Sequence, residues 1–154
     1  MKLTIPLEQV ASLRTALEKA GVKEIGGQIY GEQIAPSDFI GSDFTFQKRP
    51  GTISRFFVDL VQAATDALAF FDRTRHQYTR FNYIGEWHSH PSFAVRPSST
   101  DVQTMRELVA SQNFDGQFAL LLICKLAGKT VELGGWLFDP EGQEFPILIE
   151  VRNE

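Results

Sequence analysis

Between Gly85 and Asp101 the chain reads GEWHSHPSFAVRPSSTD, and no other stretch restricts its folding as tightly. Tyr83–His88 is rich in strand-forming types and leads into a proline-bounded loop, so it reads as a strand. Pro91 has no N–H to offer a sheet, and regular pairing ends there. The loop Ser92–Pro97 follows. Ser98-Ser99-Thr100-Asp101 then opens a helix, with Ser98 as a favoured N-cap type. Asp101 falls in the first turn, where the helix dipole favours a carboxylate.

The polar residues of this stretch point to a metal. His88 and His90 are two apart, so on an extended strand both rings share one face, roughly 6.5–7 Å apart along the chain. Trp87 and Ser89 then face the other way. Asp101, held on the first helical turn, can reach back as a third ligand. Two His and one carboxylate leave an open coordination position, the arrangement of catalytic zinc, where water takes the fourth place. Non-heme iron uses the same ligand set. Structural zinc sites are usually closed by four ligands and favour Cys, whereas Cys124 is the chain's one cysteine and lies far away in sequence. A His-x-His pair alone is a weak signal, because a strand histidine is more often packed or exposed than a ligand. The string formed by His88, His90, Pro91, Ser98 and Asp101 is much narrower.

Composition bounds the rest. A length of 154 residues suits one domain with a sizeable core, and 43% apolar residues suit a globular chain. Thirteen Phe predict a core built on large rings. The net charge of −4 gives no electrostatic footprint for nucleic acid and argues against anionic membrane as a partner. The start MKLTIPLEQV has no long apolar segment, and no run of 18 or more apolar residues occurs, so neither a signal peptide nor a membrane span is expected. Cys124 sits in an apolar run and reads as packing; a lone cysteine fits a cytoplasmic protein.

Taken in order, Leu3–Ile5 reads as a short strand. Pro6 leads into a helix over Leu7–Ala20 with Val10, Leu13 and Leu17 on one face, stopped by Gly21. Lys23–Ile34 reads as a strand whose Gly26, Gly27 and Gly31 require something to approach closely. That something is a bulge or tight crossing within the sheet, room beside Glu24 for water and a substrate main chain, or both together. Phe39–Phe46 reads as a strand and Gly51-Thr52 as a turn. Arg55–Thr74 reads as a helix capped by Ser54, with Phe57, Leu60, Val61, Ala64, Leu68 and Phe71 as its inward stripe. Arg73, Arg75, His76 and Arg80 form a basic segment, read first as a solvated helix end. His76 has no partner at ligand spacing. Ser98–Gln112 is a helix facing inward through Val102, Met105, Leu108 and Val109. Gln117–Leu126 and Thr130–Phe138 form a hairpin about Gly128-Lys129, and Glu144–Val151 is a last strand. The fold class is α/β, a mixed β-sheet packed by about three helices.

The His88–Asp101 string resembles that of the JAMM (JAB/MPN) metalloprotease family, whose signature also needs an upstream Glu in an E-x-x-G-x-[IL]-x-G context. Glu24-Ile25-Gly26-Gly27-Gln28-Ile29-Tyr30-Gly31 fits it. The resemblance covers nearly the whole chain and implies one MPN-like domain over residues 1–154. It implies a single Zn²⁺ held by His88, His90 and Asp101. Glu24 would be the base that takes the proton from water and returns it to the leaving amine, and Ser98 would donate to the oxyanion. The implied activity is hydrolysis of an isopeptide or peptide bond after the C-terminal residue of a ubiquitin-like or ubiquitin-transfer partner. The implied substrate tail lies extended near Phe93 and Val95, unless these two tuck into the core edge. The string GEWHSHP is similar to that of stand-alone bacterial peptidases from conjugation-like operons, CBASS-type antiphage systems among them. Processing of a sulfur-carrier protein is an alternative, and an inactive MPN scaffold is a further one.

Overall fold

The structure, a computed structural model, describes residues 1–47 and 60–153. Eight strands and three helices are described, in the order β1 (Lys2–Pro6), α1 (Leu7–Ala20), β2 (Gly26–Ala35), β3 (Asp38–Phe44), α2 (Leu60–Arg73), β4 (Phe81–Ser89), α3 (Ser99–Ala110), β5 (Ala119–Ala127), β6 (Thr130–Phe138), β7 (Glu144–Pro146) and β8 (Leu148–Arg152). The strands form one mixed sheet in the order β7-β6-β5-β4-β2-β3-β1-β8. β4 runs parallel to β5, β1 runs parallel to β3 and β8, and the other pairs are antiparallel. The mixed α/β fold read from the sequence is the fold observed. None of the described helices is long and apolar enough to cross a membrane.

The core divides along β5, whose near-continuous apolar run is what a strand covered on both faces requires. Leu120, Leu122 and Cys124 join Leu13 and Leu17 of α1, Trp87 and Ile29 on one side. Ala119, Leu121 and Ile123 join Met105 and Val109 of α3 and Phe138 on the other. Val10, Leu13 and Leu17 pack inward as their spacing predicts. Val102 and Leu108 support the Met105–Val109 face in the same way.

The inward stripe expected for the helix before β4 needs correction. Ala64 and Leu68 are exposed, Leu68 to 64%, and Phe70 is the buried side chain. Phe70 stacks on Tyr30 with ring centroids 4.7 Å apart, and Phe71 meets the same ring edge-on at 6.1 Å. Tyr30 fills the place beneath the last turns, so the helix turns its aromatic pair toward the sheet. Gly51-Thr52, the Ser54 cap and Phe57 lie outside the described residues, as do the side chains of Leu60 and Val61. Arg73, His76 and Arg80 pair with Asp43, Asp72 and Glu32, which favours the solvated reading of the basic segment.

Two strand boundaries also differ. The last strand divides at Ile147 into β7 and β8, which lie at opposite ends of the sheet order. Pro146 cannot donate to a ladder, and the Ile147 N–H instead donates to the Gly135 carbonyl at 3.0 Å. Ile147 and Ile149 pack into the α1-side core, so the curled sheet brings β6 and β8 into contact. The second difference is at the start of β2, which begins at Gly26, so Glu24 stands just before the strand rather than on it. The glycine question is settled by β2's own neighbours. A Cβ on Gly27 would lie 1.8 Å from the Thr45 carbonyl oxygen, and one on Gly31 would meet Ile84 Cδ1 at 2.6 Å. Crowding inside the sheet is by itself enough to require these two glycines.

Candidate metal centre

β4 carries the site to the edge of the core. A bulge leaves Ile84 unpaired between Tyr83, which faces Tyr30 of β2, and Gly85, which faces Ile29. One inserted residue shifts the alternation of everything after it. Ile84 and Trp87 both reach the α1-side core, and Tyr83 can donate its hydroxyl hydrogen to Glu86 Oε1 at 2.9 Å. Trp87 is fully buried, anchored by its indole N–H to the Thr45 carbonyl at 2.9 Å and by an edge contact with Phe46. Alternation then turns His88 away from this anchor, and His90 follows on the same side.

The geometry brings the three expected ligands together. His88 Nε2 and His90 Nε2 lie 3.0 Å apart. Asp101 Oδ1 lies 3.2 Å from His88 Nε2, and Oδ2 lies 3.3 Å from His90 Nε2. All three residues can present a ligand atom within 4.8 Å of the others. Zinc bonds of roughly 2.0–2.1 Å in a tetrahedron separate neighbouring ligand atoms by roughly 3.3 Å. The nearest approaches are of that size, with a different Asp101 oxygen turned toward each imidazole, so this donor set fits a single small cation. His90 supplies a further sign. Its Nδ1 lies 3.0 Å from the Ala94 carbonyl, which can only accept. Nδ1 can donate to that carbonyl, which orients the ring and leaves Nε2 as the nitrogen turned toward the cluster.

Asp101 is held by the helix it begins. Ser98 is the N-cap of α3 with a complete capping box: its Oγ accepts from the Asp101 N–H at 3.2 Å, and its own N–H donates to Asp101 Oδ2 at 2.7 Å. Burial would raise the Asp101 carboxyl, but the hydrogen bond and charge of His88, then the amide and hydroxyl of Ser98, outweigh it and hold the group well below the usual carboxylate range. Glu24 moves the other way. Burial raises its carboxyl first, the His88 and His90 charges pull it back, and Asp101 pushes it up again. The carboxyl therefore lies within the electrostatic field of the same three groups.

The loop between Pro91 and Ser98 separates two residues that sequence alone left together. Phe93 is 63% exposed, with its ring edge-on to His90 at 6.1 Å between centroids. Val95 instead packs against the Met105–Phe138 core. Sequence reasoning assigned no task to Ser89 or to the Ala94 carbonyl. Ser89 is fully buried and its Oγ accepts the Ile25 N–H at 3.0 Å. The available signal was its alternation with the ligands, which puts a hydroxyl on the core face, where a buried polar group must find a partner.

No curated protein matches the chain significantly. Among solved structures, protein DSY2949 from Desulfitobacterium hafniense is similar in fold, with a TM-score of 0.70 and 18% identity over 99% of this chain and 94% of that one. AF2198, a JAB1/MPN domain protein from Archaeoglobus fulgidus, matches with a TM-score of 0.48 and 14% identity, covering 96% of this chain and 97% of that one. The family of prokaryotic homologs of the JAB domain matches residues 6–139. With that match across most of its length, the chain belongs to the JAB domain family in its prokaryotic branch.

Proposed function

We propose that the protein is a zinc-dependent peptidase or isopeptidase that cuts the bond after the C-terminal residue of a ubiquitin-like or ubiquitin-transfer partner. The reading is carried by one observation: His88, His90 and Asp101 converge ligand atoms within 4.8 Å of one another, with the Glu24 carboxyl in their field. Zinc bound there would polarise the scissile carbonyl and make water nucleophilic at neutral pH. Glu24 accepts the proton from the attacking water and passes it to the leaving amine; its raised carboxyl suits a group that must both take and give a proton. Ser98 Oγ accepts from the Asp101 N–H, and its one hydroxyl hydrogen, which lies beside the Asp101 carboxylate, would turn to the oxyanion as that charge forms. Phe93, exposed beside His90, is the side chain that meets the incoming tail.

The test uses ubiquitin-like proteins fused through their C-terminal glycine to a reporter peptide, with and without chelator, with products identified by mass spectrometry. Cleavage at one bond that chelation abolishes is the expected result. Glu24→Gln should keep stoichiometric zinc and lose hydrolysis. Equal turnover in that variant rejects the role of Glu24. An intact fusion in the presence of zinc-loaded protein leaves a binding module instead.

A further inference from the structure

Ser89, the residue between the two ligand histidines, is fully buried and faces the core. Its N–H donates to the Ile25 carbonyl at 2.8 Å, and its Oγ accepts the Ile25 N–H at 3.0 Å. In a regular antiparallel pair the two residues would exchange both N–H···O=C bonds. Here the serine hydroxyl stands in for its own carbonyl. The consequence is local. β2 begins at Gly26, which pairs with His88. The Ser89 hydroxyl adds one more rung beyond that end, at the residue next to Glu24. His88 precedes this rung, His90 follows it, and Glu24 borders it on the other strand.

We infer that Ser89 is a positioning residue: its hydroxyl fixes the main chain at Ile25 and so sets the distance from the Glu24 carboxyl to the His88–His90–Asp101 cluster. Gly26 and Gly27 follow directly and supply no side chain to fix that distance. The ligand strand needs no such help, since β4 is paired on both sides, to β2 and β5, and Trp87 anchors it. Loss of the hydroxyl should therefore release Glu24 while sparing the metal ligands. As a claim about catalysis it rests on the hydrolase reading above, because only there does the place of Glu24 matter to a rate.

The experiment compares wild type, Ser89→Ala and Ser89→Thr. It measures zinc affinity, kcat and KM on a ubiquitin-like protein carrying a reporter peptide after its C-terminal glycine, and hydrogen exchange at the Ile25 amide. Ser89→Ala should keep zinc affinity and KM, lower kcat on the order of 10²-fold, as a small misplacement of a catalytic group does, and exchange faster at Ile25. Ser89→Thr restores the hydroxyl and should recover both kcat and protection. Unchanged kcat in Ser89→Ala overturns the inference, and so does zinc loss in step with kcat, which would assign Ser89 to the ligand strand. If zinc-loaded wild type cuts nothing, the hydrolase reading fails. The Ile25 amide then still decides the clamp, and unchanged exchange in Ser89→Ala overturns it.

Discussion

Asp101 and Glu86 are two carboxyls beside the same strand, and they are driven in opposite directions. Asp101 lies at the open end of β4, where burial is outweighed by His88 and by the amide and hydroxyl of Ser98, and its carboxyl is held low. Glu86 lies on the strand itself, two residues before His88. Burial pushes it up to about 7, the hydrogen bond from Tyr83 offsets this only in part, and its Oε2 is buried with no hydrogen-bond partner among the described residues. Removal from water is common to both; the supply of donors is not. A carboxylate with two donors and a neighbouring imidazole stays charged and can serve a cation, whereas one with a single phenol keeps its proton to higher pH. The site end of β4 is therefore built to keep a negative charge, and its middle is not.

The contrast between the two carboxyls is strongest at Asp101. Asp101→Ala removes both the carboxylate of the candidate metal centre and half of the capping box. Zinc affinity, read by competition with a chromogenic chelator, should fall on the order of 10²-fold or more, beyond the 10–100-fold of lost outer-shell partners. Unchanged affinity would move the third ligand elsewhere. Glu86 gives the next largest effect. Its folded value lies above the ordinary 4.5, so its contribution to stability is complete below that value and is lost as pH rises through about 7. The loss is on the order of 3 kcal/mol. Glu86→Gln has no such loss. Urea unfolding should show the variant gaining on wild type between pH 5 and pH 8, and a constant difference would mean that Glu86 is charged in the fold. The smallest effect belongs to Ser98→Ala, which removes the cap from α3 but leaves the ligands. It should cost about 1 kcal/mol in unfolding free energy and lower turnover with zinc retained. Full turnover would leave Ser98 as a cap alone.

Much of the site could be read in the chain because it is local. His88, His90, Ser98 and Asp101 span one strand end, one loop and one helix start, and each obeys a short-range rule: alternation, proline termination and N-capping. The capping box is observed as the spacing of Ser98 and Asp101 requires. The inward faces of α1 and α3 were legible for the same reason. The face of α2 was not, because a stripe of apolar residues says which side is greasy but not where Tyr30 waits to meet Phe70. Phe93 and Val95 are alike in a sequence, and only the fold, which packs Val95 against the Met105–Phe138 core over Gly134, leaves the other in solvent.

By itself, the sequence determined which residue types could hold a cation and which way each must point along its own element, because side-chain direction follows from backbone periodicity within a few residues. Only the tertiary structure decided how far apart those groups stand. The Ile84 bulge, the Ser89–Ile25 rung and the separation of β7 from β8 all depend on contacts between segments distant along the chain. Their energies come from burial and hydrogen bonds that exist only once those segments have met.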